Sequence, residues 1–161
     1  MSLFQSIAEF GRRAYRALAF CTPAVDLLLR LWVAGVFFRS GLTKIQSWDT
    51  TILLFTNEYH VPFLSPEAAA FAGTATELVM PVFLVLGLGG RLAAAVLFVF
   101  NIIAVISYPE LGDIGIQQHQ VWGIMLLVIL LHGPGKLAID HLIARWLGRR
   151  QPAGRGRLAP V

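Results

Sequence analysis

The stretch that decides the fold is residues 75–94, ATELVMPVFLVLGLGGRLAA. An apolar run ends at the glycines at 87, 89 and 90, and Arg91 then opens a second apolar run that continues to Tyr108. Glycines placed between two such runs predict a short turn. The first run begins near Ser65, so each run approaches the length of about 20 residues that a helix needs to cross a bilayer. The stretch therefore predicts two consecutive transmembrane helices.

Composition supports the same conclusion for the whole chain. Of its 161 residues, 57% are hydrophobic and 14% are charged, and the mean hydropathy is +0.69. Soluble domains have roughly 45–50% apolar and about 25% charged residues. The pI of about 9.8 could indicate a nucleic-acid partner, but the basic residues flank apolar runs, which is typical of membrane topology signals. A nucleic-acid partner is therefore not expected.

Two further spans are predicted, at residues 23–45 and from Gln117 to His132, where the sequence HGPG breaks the helix. Residues 2–20 and 137–147 are amphipathic and are expected to lie at the membrane surface. The predicted fold is an all-α membrane protein, a four-transmembrane-helix bundle with N- and C-terminal interfacial helices. Its segments are an interfacial helix at 1–22, the bundle at 23–135, and an interfacial helix with a basic disordered tail at 136–161.

The charges also predict the topology. Apart from Arg39 and Lys44, the Lys and Arg residues fall on one side of the predicted spans. The connections 46–65 and 109–116 on the other side carry acidic residues and no Lys or Arg. The positive-inside rule therefore predicts that both termini are cytoplasmic. Asp26 and Arg30, four residues apart, are expected to pair at the inner headgroups.

Three polar side chains fall within the predicted spans. Arg39, Glu77 and Asn101 are placed at similar depth in the outer half of the bundle, about 8–15 Å from the span ends at 1.5 Å per residue. Charges at such depth face the bundle interior and pair, so Arg39 and Glu77 are predicted to form a salt bridge. The predicted cluster also includes Thr74, and its mouth is assigned to Lys44, His119 and Trp122.

Two interpretations of this cluster stay open. It could bind a quinone or a small anion, with Arg39 and Asn101 donating hydrogen bonds and Glu77 handling a proton. It could equally be a structural salt bridge that fixes helix register. The sequence lacks a close-spaced His/Cys set and any haem, flavin or iron–sulfur motif, so no metal site is predicted. The single Cys21 argues against thiol–disulfide exchange.

The residues in three segments resemble the DoxX family of bacterial membrane proteins. The segments are LLLRLWVAGVFFRSGLTKI at 27–45, the stretch at 75–94 quoted above, and HGPGKLAID at 132–140. The matching positions are Arg30, Gly41, Lys44, Glu77, Gly87, Arg91, Gly133, Pro134, Gly135 and Asp140. The resemblance implies a four-helix fold in the bacterial cytoplasmic (inner) membrane. Relatives are linked to thiosulfate:quinone oxidoreduction, to redox homeostasis or to maturation of other proteins.

Two functions follow as expectations. The first is an accessory membrane subunit of a quinone-linked redox system, with a polar site in the outer half of the bundle. The second is a non-catalytic membrane partner or chaperone that helps to assemble or mature another protein. Besides the lipid bilayer, a protein partner or a homo-oligomer is expected, and quinone is the candidate small ligand. Electron transfer would need another subunit, because the chain has no redox-cofactor motif.

Overall fold

The computed structural model describes residues 3–149, and within that range it is all-helical. The predicted disordered tail from Gln151 lies outside the described residues. The six helices are α1 (Leu3–Gln46), α2 (Trp48–Asn57), α3 (Pro66–Leu86), α4 (Gly90–Ser107), α5 (Gly112–His132) and α6 (Ile139–Arg149).

Four of these helices, α1, α3, α4 and α5, are long and apolar enough to cross a membrane. They pack as a closed ring in which α1 contacts α3, α3 contacts α4, α4 contacts α5, and α5 returns to α1. The predicted fold, an all-α membrane protein built on a four-helix bundle, is confirmed. The orientation in the membrane and the choice of the inner membrane stay predictions.

Helix α1 is 44 residues long and runs through Pro23 without interruption. The helix is therefore continuous across the expected boundary between an interfacial helix at 1–22 and the first span. From Gln5 to Thr22 nearly every side chain with a described burial is exposed, so this part extends beyond the bundle. Its position relative to a membrane surface stays a prediction, as does that of α6.

The helix ends follow local signals in the sequence. Ser65 caps α3, since its side chain accepts a hydrogen bond from the backbone N–H of Ala68 at 3.3 Å, and Pro66 occupies the first turn. Gly87 ends α3 with φ +65°, a left-handed conformation that favours glycine. Helix α5 starts at Gly112, five residues before the predicted start at Gln117.

The connection 46–65 contains a helix that the sequence analysis treated as loop. In α2 the buried residues are Thr51 and Phe55, one turn apart, and Phe55 packs against Ala69 and Ala70 of α3. Thr51 donates its hydroxyl hydrogen to the carbonyl of Lys44 at 2.9 Å, which fixes α2 onto the end of α1. Helix α2 therefore covers one end of the bundle.

The main core lies between the four long helices. Its fully buried members include Val33 and Phe37 of α1, Leu84 of α3, Leu97 of α4 and Leu126 of α5. Below, the bundle end that carries α2 is called the α2 end. The opposite end, which carries the α3–α4 turn, the connection 133–138 and helix α6, is called the α6 end.

Candidate functional site

A charged pair joins α1 and α3 towards the α2 end. Glu77, in the middle of α3, is 5% exposed, and its Oε2 lies 2.6 Å from Lys44 Nζ. Ser40 donates its hydroxyl hydrogen to Glu77 Oε1 at 3.0 Å and accepts a hydrogen bond from Lys44 Nζ at 2.9 Å. Ionised groups make the stronger hydrogen bonds, and both carboxylate oxygens of Glu77 are used here.

Helix geometry explains why these residues meet. Ser40 and Lys44 are four residues apart on α1 and therefore share a face. Gly41 lies between them, and a Cβ atom there would be 2.9 Å from the Leu78 side chain and 3.1 Å from Glu77 Cβ. A glycine lets two membrane helices approach closely. The close approach of α1 and α3 is what brings Lys44 onto Glu77.

The predicted partner of Glu77 is wrong. Lys44 forms the salt bridge, whereas Arg39 is exposed on the outside of α1. Successive residues on an α-helix are about 100° apart, so a residue next to Ser40 points away from the face that carries Ser40 and Lys44. The pairing prediction therefore placed Arg39 on the wrong face of α1.

Asn101 belongs to a different contact. It is 4% exposed, and its Nδ2 donates to the backbone carbonyl of His119 at 3.0 Å, which ties α4 to α5. The His119 ring packs on Trp122 at a centroid distance of 4.7 Å, and Trp122 in turn contacts Phe37 of α1. The predicted single polar cluster is thus divided into two groups, Lys44–Ser40–Glu77 and Asn101–His119.

A cavity of about 500 Å³ lies between α3 and α4, beneath α2 and the loop that follows it. Lys44 and Glu77 form a charged part of its wall. Apolar side chains of both helices form most of the rest, including Ala69, Ala72, Val96, Val99, Phe100, Ile103 and Ala104. Ala72 and Val99 are exposed, so the cavity opens sideways between α3 and α4. Below, it is called the lateral groove.

Three further polar groups reach the lateral groove. The Tyr59 ring packs between Phe55 and Tyr108 in tilted contacts, with both centroid distances at 4.8 Å. Burial raises the pKa of the Tyr59 phenol, and nearby Tyr108 and acidic groups raise it further, so it is protonated at neutral pH. Ser107 lines the groove with its Oγ buried and without a partner among the described residues, and Thr76 donates to the carbonyl of Ala72.

Of the remaining predicted site residues, Thr74 is buried on α3, and its Oγ1 has no partner within the described part of the chain. It is not among the residues that line the lateral groove. No group of three His, Cys, Asp or Glu side chains within the described residues is placed to hold a metal ion.

At the α6 end the structure contains a buried arginine whose role the sequence analysis missed. Arg30 is 0% exposed and donates to the carbonyls of Val85 at 3.0 Å, Leu84 at 3.4 Å and Leu137. It turns into the bundle, so the expectation that it pairs with Asp26 at the headgroups is corrected. The signal was available in the sequence, because Arg30, Val33, Phe37 and Lys44 share one stripe of α1.

Asp140 completes the closure of the α6 end. Its two carboxylate oxygens accept hydrogen bonds from the backbone N–H groups of Gly89 at 2.9 Å and Gly90 at 3.0 Å, at the start of α4. A carboxylate is stabilised at that position by the positive end of the helix dipole. The backbone N–H of Asp140 also donates to the carbonyl of Gly87 at 3.0 Å, which fixes α6 onto the α3–α4 turn.

The family model that describes DoxX proteins matches residues 25–109 of this chain. The chain belongs to the DoxX family. The matched residues run from the bundle part of α1 to the end of α4 and include Arg30, Lys44 and Glu77. The chain is also similar to an uncharacterized protein of Haemophilus influenzae, with 29% identity over 128 residues that cover 74% of this chain and 83% of that protein. No solved structure shows a significant match.

The residues that carry the DoxX resemblance divide between the two ends of the bundle. Gly41, Lys44 and Glu77 build the charged pair beside the lateral groove. Arg30, Gly87 and Asp140 build the closed contact at the α6 end, and Arg91 and the segment 133–135 lie beside it. In this DoxX protein the resemblance residues at the α2 end thus border a mostly apolar cavity, whereas those at the α6 end pack against one another or line a more polar one.

Proposed function

We propose that this protein is an accessory membrane subunit of a quinone-linked redox system and that the lateral groove holds the quinone. The observation that carries the proposal is the groove itself, an apolar cavity of about 500 Å³ with the Lys44–Glu77 pair in its wall. Small-molecule sites are mostly apolar, hold about 300–1,000 Å³ and contain a few placed polar groups. The groove has each of these properties.

The chemistry of the pair suits a quinone carbonyl. Lys44 Nζ has three donor hydrogens, of which Glu77 and Ser40 take two, so a third is left for a ligand oxygen. Glu77 holds the ammonium in place and can pass on one of the two protons that reduction of a quinone to the quinol takes up, and the second proton would come from water. The two electrons of that step would come from a partner subunit that carries a redox cofactor. The sideways opening lets an isoprenoid tail stay in the lipid.

Ligand-dependent thermal stability in detergent tests the proposal. Ubiquinone- and menaquinone-like compounds should raise the melting temperature of the wild-type protein. Lys44→Met should weaken binding about 5- to 150-fold, since a lost polar contact in a closed site costs about 1–3 kcal/mol. Ala72→Trp should block the opening of the groove, whereas its control Phe71→Trp, at an exposed neighbouring position, should bind normally.

The absence of any shift for the wild-type protein with either class of quinone would contradict this proposal. It would favour the second candidate, a non-catalytic membrane partner or chaperone. The observation that favours this second candidate is Arg39, an exposed cation inside a span. It lies seven residues, or about 10 Å, before the end of α1. Charges at such positions usually find partners. A photocrosslinker at Gly35, on the same side of α1, should then capture another membrane protein that a probe at Phe71 does not.

A further inference from the structure

A second cavity, of about 400 Å³, lies at the α6 end, away from the lateral groove. Its walls come from α1 at residues 22–26, from the start of α4, from the connection 133–136 and from α6. The charged and titratable residues that line it are Asp26, Arg91, His132, Lys136, Asp140 and His141. The cavity therefore differs from the groove, because charged and titratable side chains form a larger share of its lining.

The two acidic residues of this cavity are already engaged. Both oxygens of Asp140 accept hydrogen bonds from the backbone of Gly89 and Gly90. Asp26 packs so closely on Gly135 that a Cβ atom there would be 2.6 Å from its Oδ2. Arg30, one helical turn along α1, interacts electrostatically with Asp26, although its hydrogen bonds go to backbone carbonyls. The acidic groups thus belong to the internal structure of this end.

The basic residues keep donors for a ligand. Arg91 donates from Nη2 to the carbonyl of Leu131 at 3.3 Å, and a guanidinium has five donor hydrogens. Lys136 is exposed beside it, and His132 and His141 line the same cavity. A guanidinium and an ammonium that converge on one cavity are the pair that proteins use for phosphate groups.

Apolar surface adjoins this basic cavity. Leu137 at the cavity edge is 54% exposed, and Leu142 of α6 is 61% exposed. Basic pockets between transmembrane helices on the cytoplasmic side bind the headgroups of anionic lipids. We infer that the cavity formed by Arg91, Lys136, His132 and His141 binds a phosphate group, supplied by the headgroup of an anionic phospholipid whose acyl chains lie along Leu137 and Leu142.

The test is a lipid titration of the purified full-length protein in detergent. At each lipid concentration the melting temperature is measured from tryptophan fluorescence during heating. Phosphatidylglycerol should raise the melting temperature, and phosphatidylcholine should not. Arg91→Gln/Lys136→Gln should weaken the apparent affinity about 25-fold, at about fivefold for each basic residue. The matched control Arg12→Gln/Arg13→Gln removes two charges from the extended part of α1 and should leave the affinity unchanged.

A second titration uses inorganic phosphate in place of the lipid. A stabilising shift with phosphate that Arg91→Gln/Lys136→Gln abolishes would support the phosphate site and name a soluble anion as its source. If the control Arg12→Gln/Arg13→Gln weakened the lipid affinity equally, the inference would be overturned, because the lipid would then be attracted diffusely to the basic surface. No shift with either ligand would overturn it as well. Lys136→Gln alone, at an exposed position, keeps the test valid if the double variant fails to fold.

Discussion

Arg30 and Lys44 are two cations of one helix stripe, and they serve the protein in different ways. Both lie on the face of α1 that packs against α3, fourteen residues apart. Arg30 is fully buried, and its hydrogen bonds go to backbone carbonyls of the α3 end and of the connection to α6. The Lys44 side chain is 13% exposed and pairs with Glu77 in the wall of a cavity.

The difference shows how one kind of residue can act as structure at one end and as a candidate site at the other. The contact between α6 and the α3–α4 turn is closed, since Arg30 and Asp140 use their polar groups on the backbone of neighbouring elements. At the α2 end the charged pair borders about 500 Å³ of apolar space. We therefore expect changes at Arg30, Gly87 and Asp140 to affect mainly folding stability, and changes at Lys44 and Glu77 to affect ligand binding as well.

The largest expected effect is that of Arg30→Gln. The shorter amide cannot reach all three carbonyls. Leu84 keeps the backbone N–H of Gly87 as a donor, but Val85 and Leu137 lose the donor that Arg30 supplies at a buried helix end. Hydrogen bonds to charged groups contribute about 1.5–3 kcal/mol each, so the free energy of unfolding should fall by about 3–5 kcal/mol. Unfolding in mixed micelles with increasing denaturing detergent measures this loss. Arg39→Gln is the control, and a loss of equal size there would remove the distinction between buried and exposed arginines.

The next effect concerns the α3–α4 turn. A Cβ atom at Gly87 would lie 2.5 Å from Ala138 Cβ and 2.6 Å from Arg30 Nη1, at φ +65°. Gly87→Ala should therefore cost about 2–4 kcal/mol, from the left-handed backbone together with overpacking. Gly89, at φ +58°, has open space around the same position, so Gly89→Ala should cost only about 1–2 kcal/mol. Similar melting temperatures for the two variants would argue against a tightly packed α6 end.

A smaller effect is expected at the charged pair. Lys44→Met and Glu77→Gln should each destabilise the protein, and the double variant should lose less than the sum. The coupling should be about 1–3 kcal/mol, because the partly exposed Lys44 can reposition when its partner is lost. The same double-mutant cycle with Arg39→Met in place of Lys44→Met should give no coupling to Glu77→Gln. Coupling of Glu77 to Arg39 instead would restore the pairing that the sequence suggested.

Local signals explain which features could be predicted from the sequence. The four spans and most of their ends depend on apolar length, on Ser65-Pro66 and on Gly87, and each of these acts within a few residues. The choice between Arg39 and Lys44 depends on how α1 is rotated against α3, and the depth of a residue does not determine that rotation. The face could have been inferred from Val33, Phe37 and Gly41, which align with Lys44 rather than with Arg39.

The smallest expected effect is that of Asn101→Leu, and it distinguishes the groove from the rest of the bundle. Asn101 was assigned to the same polar cluster as Glu77, but its Nδ2 donates across the α4–α5 contact to His119. An interhelical hydrogen bond in a membrane contributes about 0.6 kcal/mol on average and at most about 1.7 kcal/mol, so the melting temperature should fall only slightly.

The quinone-dependent rise in melting temperature should survive in Asn101→Leu, because the residues that line the lateral groove include Glu77 and Lys44 but not Asn101. Lys44→Met should lose that rise while it keeps a folded bundle. If Asn101→Leu abolished the ligand shift and Lys44→Met preserved it, the ligand would have to lie between α4 and α5, near His119 and Trp122. The lateral groove would then be a packing defect next to a structural ion pair, and the contrast between the two ends would no longer hold.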